Sequence, residues 1–216
     1  MKNLLILFCC LFTLTSYAQQ YTDTEQSSGE EVKSLLAKGK EMTGFGNVDF
    51  RISQMMDAQS LLIGGYGGLL LNKNVMFGVG AYGLAANTEF SGVDPMSNVA
   101  KDLTLYGGYG GLLLGFKIAS KEIIHLSVPI LIGGGHLDVS DDNYFSNYTE
   151  DRKYDLESSA YFAVEPSALL EINVSQRFRL GMGAGYRLVR GLNLENVEDD
   201  DMSGFSGVVS FQIGNF

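Results

Sequence analysis

RFRLGMGAGYRLV, Arg177 to Val189, is the stretch on which the fold turns. Read as an extended chain, it places Phe178, Leu180, Met182, Ala184, Tyr186 and Leu188 on one face. Arg177, Arg179, Gly181, Gly183, Gly185 and Arg187 fall on the other, because successive side chains of a strand point to opposite sides. One face is apolar, and up to Arg187 the other holds only arginine and glycine. The preceding stretch behaves alike, with Phe162, Val164, Pro166, Ala168, Leu170 and Ile172 opposite Glu157, Tyr161, Glu165 and Glu171. Near the start of the pattern, Val48, Phe50 and Ile52 alternate with Asn47, Asp49, Arg51 and Ser53.

Working outward, the same period of two predicts eight strands: 45–54, 60–71, 75–88, 103–117, 123–137, 156–173, 177–190 and 205–213. The connections sort by length. Those at 72–74, 119–122 and 174–176 are tight, while 89–102, 138–155 and 191–204 are long and acidic, and 55–59 is short. Tight turns alternate with the other connections, so they gather at one end. That asymmetry is the pattern of up-and-down outer-membrane barrels, with short periplasmic turns and longer external loops. The fold class predicted is all-β: an eight-stranded antiparallel up-and-down transmembrane β-barrel.

Two identical octets, GGYGGLLL at Gly64–Leu71 and Gly107–Leu114, lie 43 residues apart. Glycine weakens strand interiors and belongs where another group approaches closely. In a barrel so narrow that side chains fill it, glycines beside Tyr66 and Tyr109 leave room for the rings, and the leucine triplets fall in the lipid-facing band. A soluble barrel would turn its apolar face inward. A three-residue turn at 174–176 would set Asn173 opposite Arg177 and Glu171 opposite Arg179, with Glu165 diagonal to Arg187. Glu165, Glu171, Arg179 and Arg187 are thus the expected ion pairs of the barrel interior, a charge ladder that suits a membrane barrel.

The N-terminus has the form of a secretory leader: Lys2, an apolar run over Leu4–Leu14, then Ser16-Tyr17-Ala18, with cleavage expected before Gln19. The expected organisation is signal peptide 1–18, an N-terminal periplasmic segment 19–43 containing a short helix at Glu30–Met42, and barrel 44–216. Both cysteines, Cys9 and Cys10, lie in the leader, so the exported chain has no thiol. Without Lys2 the balance is 14 basic against 25 acidic residues. Such a chain repels phosphate backbones, which excludes nucleic-acid binding.

With the leader, eight alternating strands, alternating turns and loops, and a C-terminal Phe216 in VVSFQIGNF, residues 45–216 resemble the small outer-membrane β-barrel family of Gram-negative bacteria, the OmpX-like and opacity-like proteins. The resemblance implies an outer-membrane location, lipid and lipopolysaccharide as surroundings, and Phe216 as a signal read by the barrel assembly machinery. One departure stands out. The apolar face of the last strand is odd-numbered, Phe205, Val209, Phe211 and Ile213, whereas Phe216 is even.

Candidate chemistry is sparse. His125 and Ser127 share a strand face, but near the tight-turn end, and read as structural filler. His136 has no second histidine for a transition metal. No phosphate loop or nucleotide fingerprint occurs. The expectation is a non-enzymatic protein with no cofactor or metal site, envelope-structural or adhesin-like, meeting an unidentified extracellular partner through its loops. Tyr144, Phe145, Tyr148 and Tyr154 in one loop and Asp199, Asp200 and Asp201 in another are the contact candidates. The alternatives are a narrow porin or small-solute channel, and a secreted soluble ligand-binding barrel.

Overall fold

The computed structural model describes residues 41–56, 58–85, 88–93, 98–140 and 155–216. Nearly all are strand: β1 (Met42–Met55), β2 (Ala58–Leu71), β3 (Val75–Leu84), β4 (Thr88–Val93), β5 (Ala100–Ile118), β6 (Ile124–Ser140), β7 (Asp155–Asn173), β8 (Phe178–Arg190) and β9 (Gly204–Gly214). A four-residue helix, α1 (Asp199–Met202), lies between β8 and β9. Pairing is antiparallel, β1 also pairs with β9, and β3 pairs with β5, so the sheet closes on itself. Closure satisfies backbone groups that lipid cannot, and leaves no open edge.

β3 and β4 pair with successive lengths of β5, Tyr82 opposite Tyr109 and Phe90 opposite Leu103. They are two parts of one stave, and nine segments make an eight-stave barrel. The sequence led us to expect a single strand over 75–88 followed by a loop. Instead the stave breaks before Thr88 and resumes, because Thr88 and Phe90 still alternate inward against Glu89 and Ser91. β1 begins at Met42, so the last residue of the expected helix belongs to a strand. The leader, the remainder of that helix up to residue 40, and the loop holding Tyr144, Phe145, Tyr148 and Tyr154 lie outside the described residues.

The turns after β2, β5 and β7 share one end. Met42 faces Leu71 there, and the Phe216 amide donates to the Gln176 carbonyl, so both ends of the barrel chain meet the tight turns. The faces are inside out. Phe50, Ile52, Leu112, Met182 and Ile213 are 40 %, 59 %, 55 %, 57 % and 63 % exposed, whereas Asp49, Glu165, Glu171 and Arg187 are 1 % exposed or less. Contiguous apolar surface on this scale marks contact with lipid, not water.

The two octets flank β3 from either side, on β2 and β5. Tyr66 and Tyr109 point inward and are buried. A Cβ at Gly80 would lie 2.8 Å from the Cβ of Tyr66, and one at Gly64 would strike the Tyr82 ring. These glycines make space for inward tyrosines on the neighbouring strand. The leucine triplets divide: Leu69, Leu112 and Leu114 face outward as expected, while Leu70 and Leu113 are buried in the lumen.

Candidate functional site: a sealed and charged lumen

Strand alternation carries one set of polar side chains into the middle of the barrel. Arg51 of β1 is their hub. Its Nη1 donates to Glu165 Oε1 at 2.5 Å, and its Nη2 donates to Asp49 Oδ2 at 3.0 Å and to the Tyr82 hydroxyl at 2.7 Å. Tyr82 donates in turn to Asp49 at 2.7 Å, and Tyr109 donates to Glu165 Oε2. The two tyrosine rings stack 5.5 Å apart, with the guanidinium 4.0 Å above Tyr82. Asn47 completes the group by donating to Asp49 at 2.6 Å. Arg187, also buried, donates to the Met202 carbonyl at 2.8 Å and lies 5.5 Å over the Tyr109 ring. Here two arginines balance two carboxylates, as burial of charge demands.

A second set lies toward the tight turns. Lys117 of β5 donates to Glu171 Oε2, and to Gln212 at 3.0 Å. His125 Nε2 meets the same carboxylate oxygen at 2.9 Å, with Arg179 Nη1 4.0 Å away. Arg179 also donates through Nε to Asn173 at 2.6 Å and through Nη2 to the Ser120 carbonyl at 3.3 Å. Two basic side chains, Lys117 and Arg179, face one carboxylate. Buried polar atoms without a hydrogen-bond partner collect here: Glu171 Oε1, His125 Nδ1, Ser127 Oγ, Arg179 Nη1 and Gln212 Nε2.

Glu165, Glu171, Arg179 and Arg187 therefore all point into the lumen; Glu171 keeps Arg179 at 4.0 Å, though not directly opposite it, while Glu165 and Arg187 take other partners. Asn173 faces Arg179 and Glu171 faces Gly181, two residues from the expected register. The Ser175 hydroxyl accepts from the Arg177 and Phe178 amides, so the turn is longer than three residues and β8 starts later. Glu165 takes Arg51 and Tyr109; Arg187 turns to the loop. Asp49, Arg51 and Lys117 are ion-pair members too; alternation in the sequence sets Asp49 and Arg51 on one face, but their partners lie on distant strands.

The outer end is closed differently from the polar filling expected. Leu62, Phe90, Leu103, Leu105, Leu137, Val139 and Val189 fill the lumen there with apolar volume, and Val197 and Met202 of the β8–β9 connection pack onto them. That connection crosses the mouth. Asn196 accepts from the Val93 amide at 2.9 Å and donates to the Val93 carbonyl at 2.8 Å, tying it to β4, the stave diametrically opposite β8 in the ring. Asp199 and Asp201 hold the loop from within. Asp199 accepts from the Leu192 amide at 2.9 Å, and Asp201 accepts from the Glu198 amide at 2.8 Å. Asp200 meets Arg190 at 3.3 Å with its side chain 88 % exposed, so it alone of the three is presented to solvent.

The remaining candidates have plain placements. Ser127 makes no hydrogen bond to His125, and both are buried in the lumen, so the serine lacks a base within reach. His136 bonds Ser158 at 3.0 Å and Asp138 at 3.1 Å near the outer end. Among the described residues no three metal-ligating side chains converge. Phe216 lies off the lipid-facing side, its ring 3.7 Å from the Arg179 guanidinium at the tight-turn mouth.

No protein-family model matches the chain, and no curated protein matches it. Among solved structures it is similar to the N-terminal β-barrel domain of Pseudomonas aeruginosa OprF, at 11 % identity over 80 % of this chain and 96 % of that one, TM-score 0.48. Neisserial surface protein A is similar at 12 % identity over 83 % and 100 % of the two chains, TM-score 0.44. Ail of Yersinia pestis, in phospholipid bilayer nanodiscs, is similar at 14 % over 79 % and 99 %, TM-score 0.35. Likenesses this distant add nothing to what the closed ring, the lipid-facing apolar belt and the buried charged lumen establish by themselves: the chain is an eight-stranded transmembrane β-barrel of the outer-membrane type.

Proposed function

We propose that this barrel is a non-enzymatic outer-membrane protein whose role is envelope-structural or adhesin-like, exerted by its external loops on a partner outside the cell. The observation that carries the reading is the sealed lumen. Buried ion pairs fill its middle, apolar side chains fill its outer end, and a strap tied at Asn196 and Val93 crosses the mouth. An eight-stranded barrel is narrow enough for side chains to occupy it entirely. With side chains of the described residues filling the lumen, the surfaces left for work are the belt against lipid and lipopolysaccharide and the loop end. There Glu195, Glu198 and Asp200 stand exposed, and Tyr144, Phe145, Tyr148 and Tyr154 belong to the sequence that connects β6 to β7. Phe216 serves the assembly machinery before closure and packs beneath Arg179 afterwards.

The test is a comparison of whole cells displaying the native protein with cells displaying a form whose 141–154 segment is replaced by a short Gly-Ser turn. Native cells should bind host or glycan surfaces more, or resist detergent better, with equal amounts of heat-modifiable barrel in the outer membrane. Identical behaviour of the two strains would refute the loop-based role. Rapid solute uptake by liposomes containing the native barrel would instead favour the channel.

A further inference from the structure

The Arg179–Glu171 pair of the lower lumen is close without touching. Arg179 Nη1 stands 4.0 Å from Glu171 Oε2, beyond hydrogen-bond reach. A polar gap of that size is where a bridging water belongs. Both residues are buried, and each keeps an atom unused: Arg179 Nη1 and Glu171 Oε1 have no hydrogen-bond partner among the described residues. His125 Nδ1 and Gln212 Nε2 are buried in the same condition. Strand register gathers the four. His125 faces Glu171 across β6 and β7, Glu171 faces Gly181 across β7 and β8, and Arg179 faces Gln212 across β8 and β9. Gly181 lies inward in their midst and carries no side chain. A Cβ there would meet Glu171 Cγ at 3.3 Å and Ser210 Cβ at 3.4 Å, so the glycine leaves a space that one small group would fill.

The chemistry of the four atoms selects the occupant. Arg179 Nη1 can only donate, and so can Gln212 Nε2, because the Gln212 Oε1 already accepts from Lys117. Glu171 Oε1 accepts. His125 gives Nε2 to the Glu171 carboxylate, and in the neutral ring that leaves Nδ1 as a second acceptor. A cation would be repelled by Arg179 and Lys117, and an anion by Glu171. Water both donates and accepts, and a buried water makes about three such bonds to groups that otherwise have none. Supply is one-sided. The tight-turn mouth holds a cavity of about 330 Å³ lined in part by Ser120, Asn173 and Arg179, whereas Leu62, Leu105 and Val139 close the lumen toward the outer end.

We propose that the lower lumen is an internal water-binding site over Gly181, where a water bridges Arg179 Nη1 to Glu171 Oε1 and bonds Gln212 or His125 as well. The site fills from the tight-turn mouth, and the outer half of the lumen stays dry. It rests on the barrel fold and is independent of what the external loops bind.

The experiment is a crystal structure of the full barrel in detergent, at a resolution that shows ordered water, from crystals grown in chloride and again in bromide. A density peak should lie within hydrogen-bond distance of Arg179 Nη1, Glu171 Oε1 and at least one of Gln212 Nε2 and His125 Nδ1. It should carry no anomalous bromide signal, and no peak should appear among Leu62, Leu105 and Val139. Gly181→Ala, which puts a methyl group into the space, should still give a heat-modifiable barrel and should lose the peak. Arg179 Nη1 closed directly onto Glu171 with nothing between them would overturn the site. A bromide signal there would make the occupant an ion and overturn it too, and a peak unchanged in Gly181→Ala would show that the space over the glycine is not what holds it. Waters threading the apolar outer half would refute the one-sided supply.

Discussion

Arg51 offers the sharpest test of the lumen. Its guanidinium serves two carboxylates on different strands, Asp49 at 3.0 Å and Glu165 at 2.5 Å, and the side chains are 3 % exposed or less. Arg51→Met leaves two buried carboxylates facing each other without their cation. Breaking a buried pair in this way costs about 3–5 kcal/mol. Glu165→Gln is milder. Arg51 keeps Asp49 and Tyr82, and the amide still fills the space, so the loss is that of charged hydrogen bonds, about 1.5–3 kcal/mol. The combined variant should be less damaging than the sum, because each change removes the charge that the other leaves stranded, giving a coupling of about 1–3 kcal/mol. The assay is urea unfolding of refolded barrel in lipid vesicles, followed by the boiling-sensitive gel shift and tyrosine fluorescence. Strict additivity, or an Arg51→Met loss no larger than that of Glu165→Gln, would show that these groups are solvated separately and that the hub does not exist.

Other outcomes can be checked alongside. Gly68→Ala should abolish the heat-modifiable band, because its Cβ would run into the Phe77 carbonyl across the sheet, whereas Gly207→Ala, with nothing within 4 Å, should unfold as the native chain does. Ser127→Ala should leave lipid turnover unchanged and unfold no earlier than native, since it removes a buried hydroxyl that has no partner. Asn196→Ala should release the strap from β4, seen as about tenfold faster exchange of the Val93 amide, which now donates to Asn196 at 2.9 Å, with little effect on Val164 of β7.

What could be read in the chain was what is local. Alternation along Arg177–Val189 or Asn47–Ser53 fixes which side chains share a face, because the strand period is two whatever lies across the barrel. Eight staves, the end that gathers the tight turns, and the burial of Glu165, Glu171, Arg179 and Arg187 follow from that period and from connection lengths. Where reading went astray, a single residue's hydrogen bonds decided. Ser175 lengthened one turn and moved the register by two, and Thr88 and Phe90 carried a stave past its expected end.

Only closure decided who meets whom. Arg51 finds Glu165 114 residues away and Lys117 finds Glu171 54 residues away, across a ring whose register no alternation specifies. The strap is of the same kind. Asp199 and Asp201, contact candidates in the sequence, accept from loop amides where Val197 and Met202 are buried at the mouth. The sequence by itself determined which face of each strand meets lipid, since hydrophobicity with a period of two is a one-dimensional property. The tertiary structure determined the charge network and the apolar closure of the outer end, since these depend on distances between strands that only a closed ring brings together.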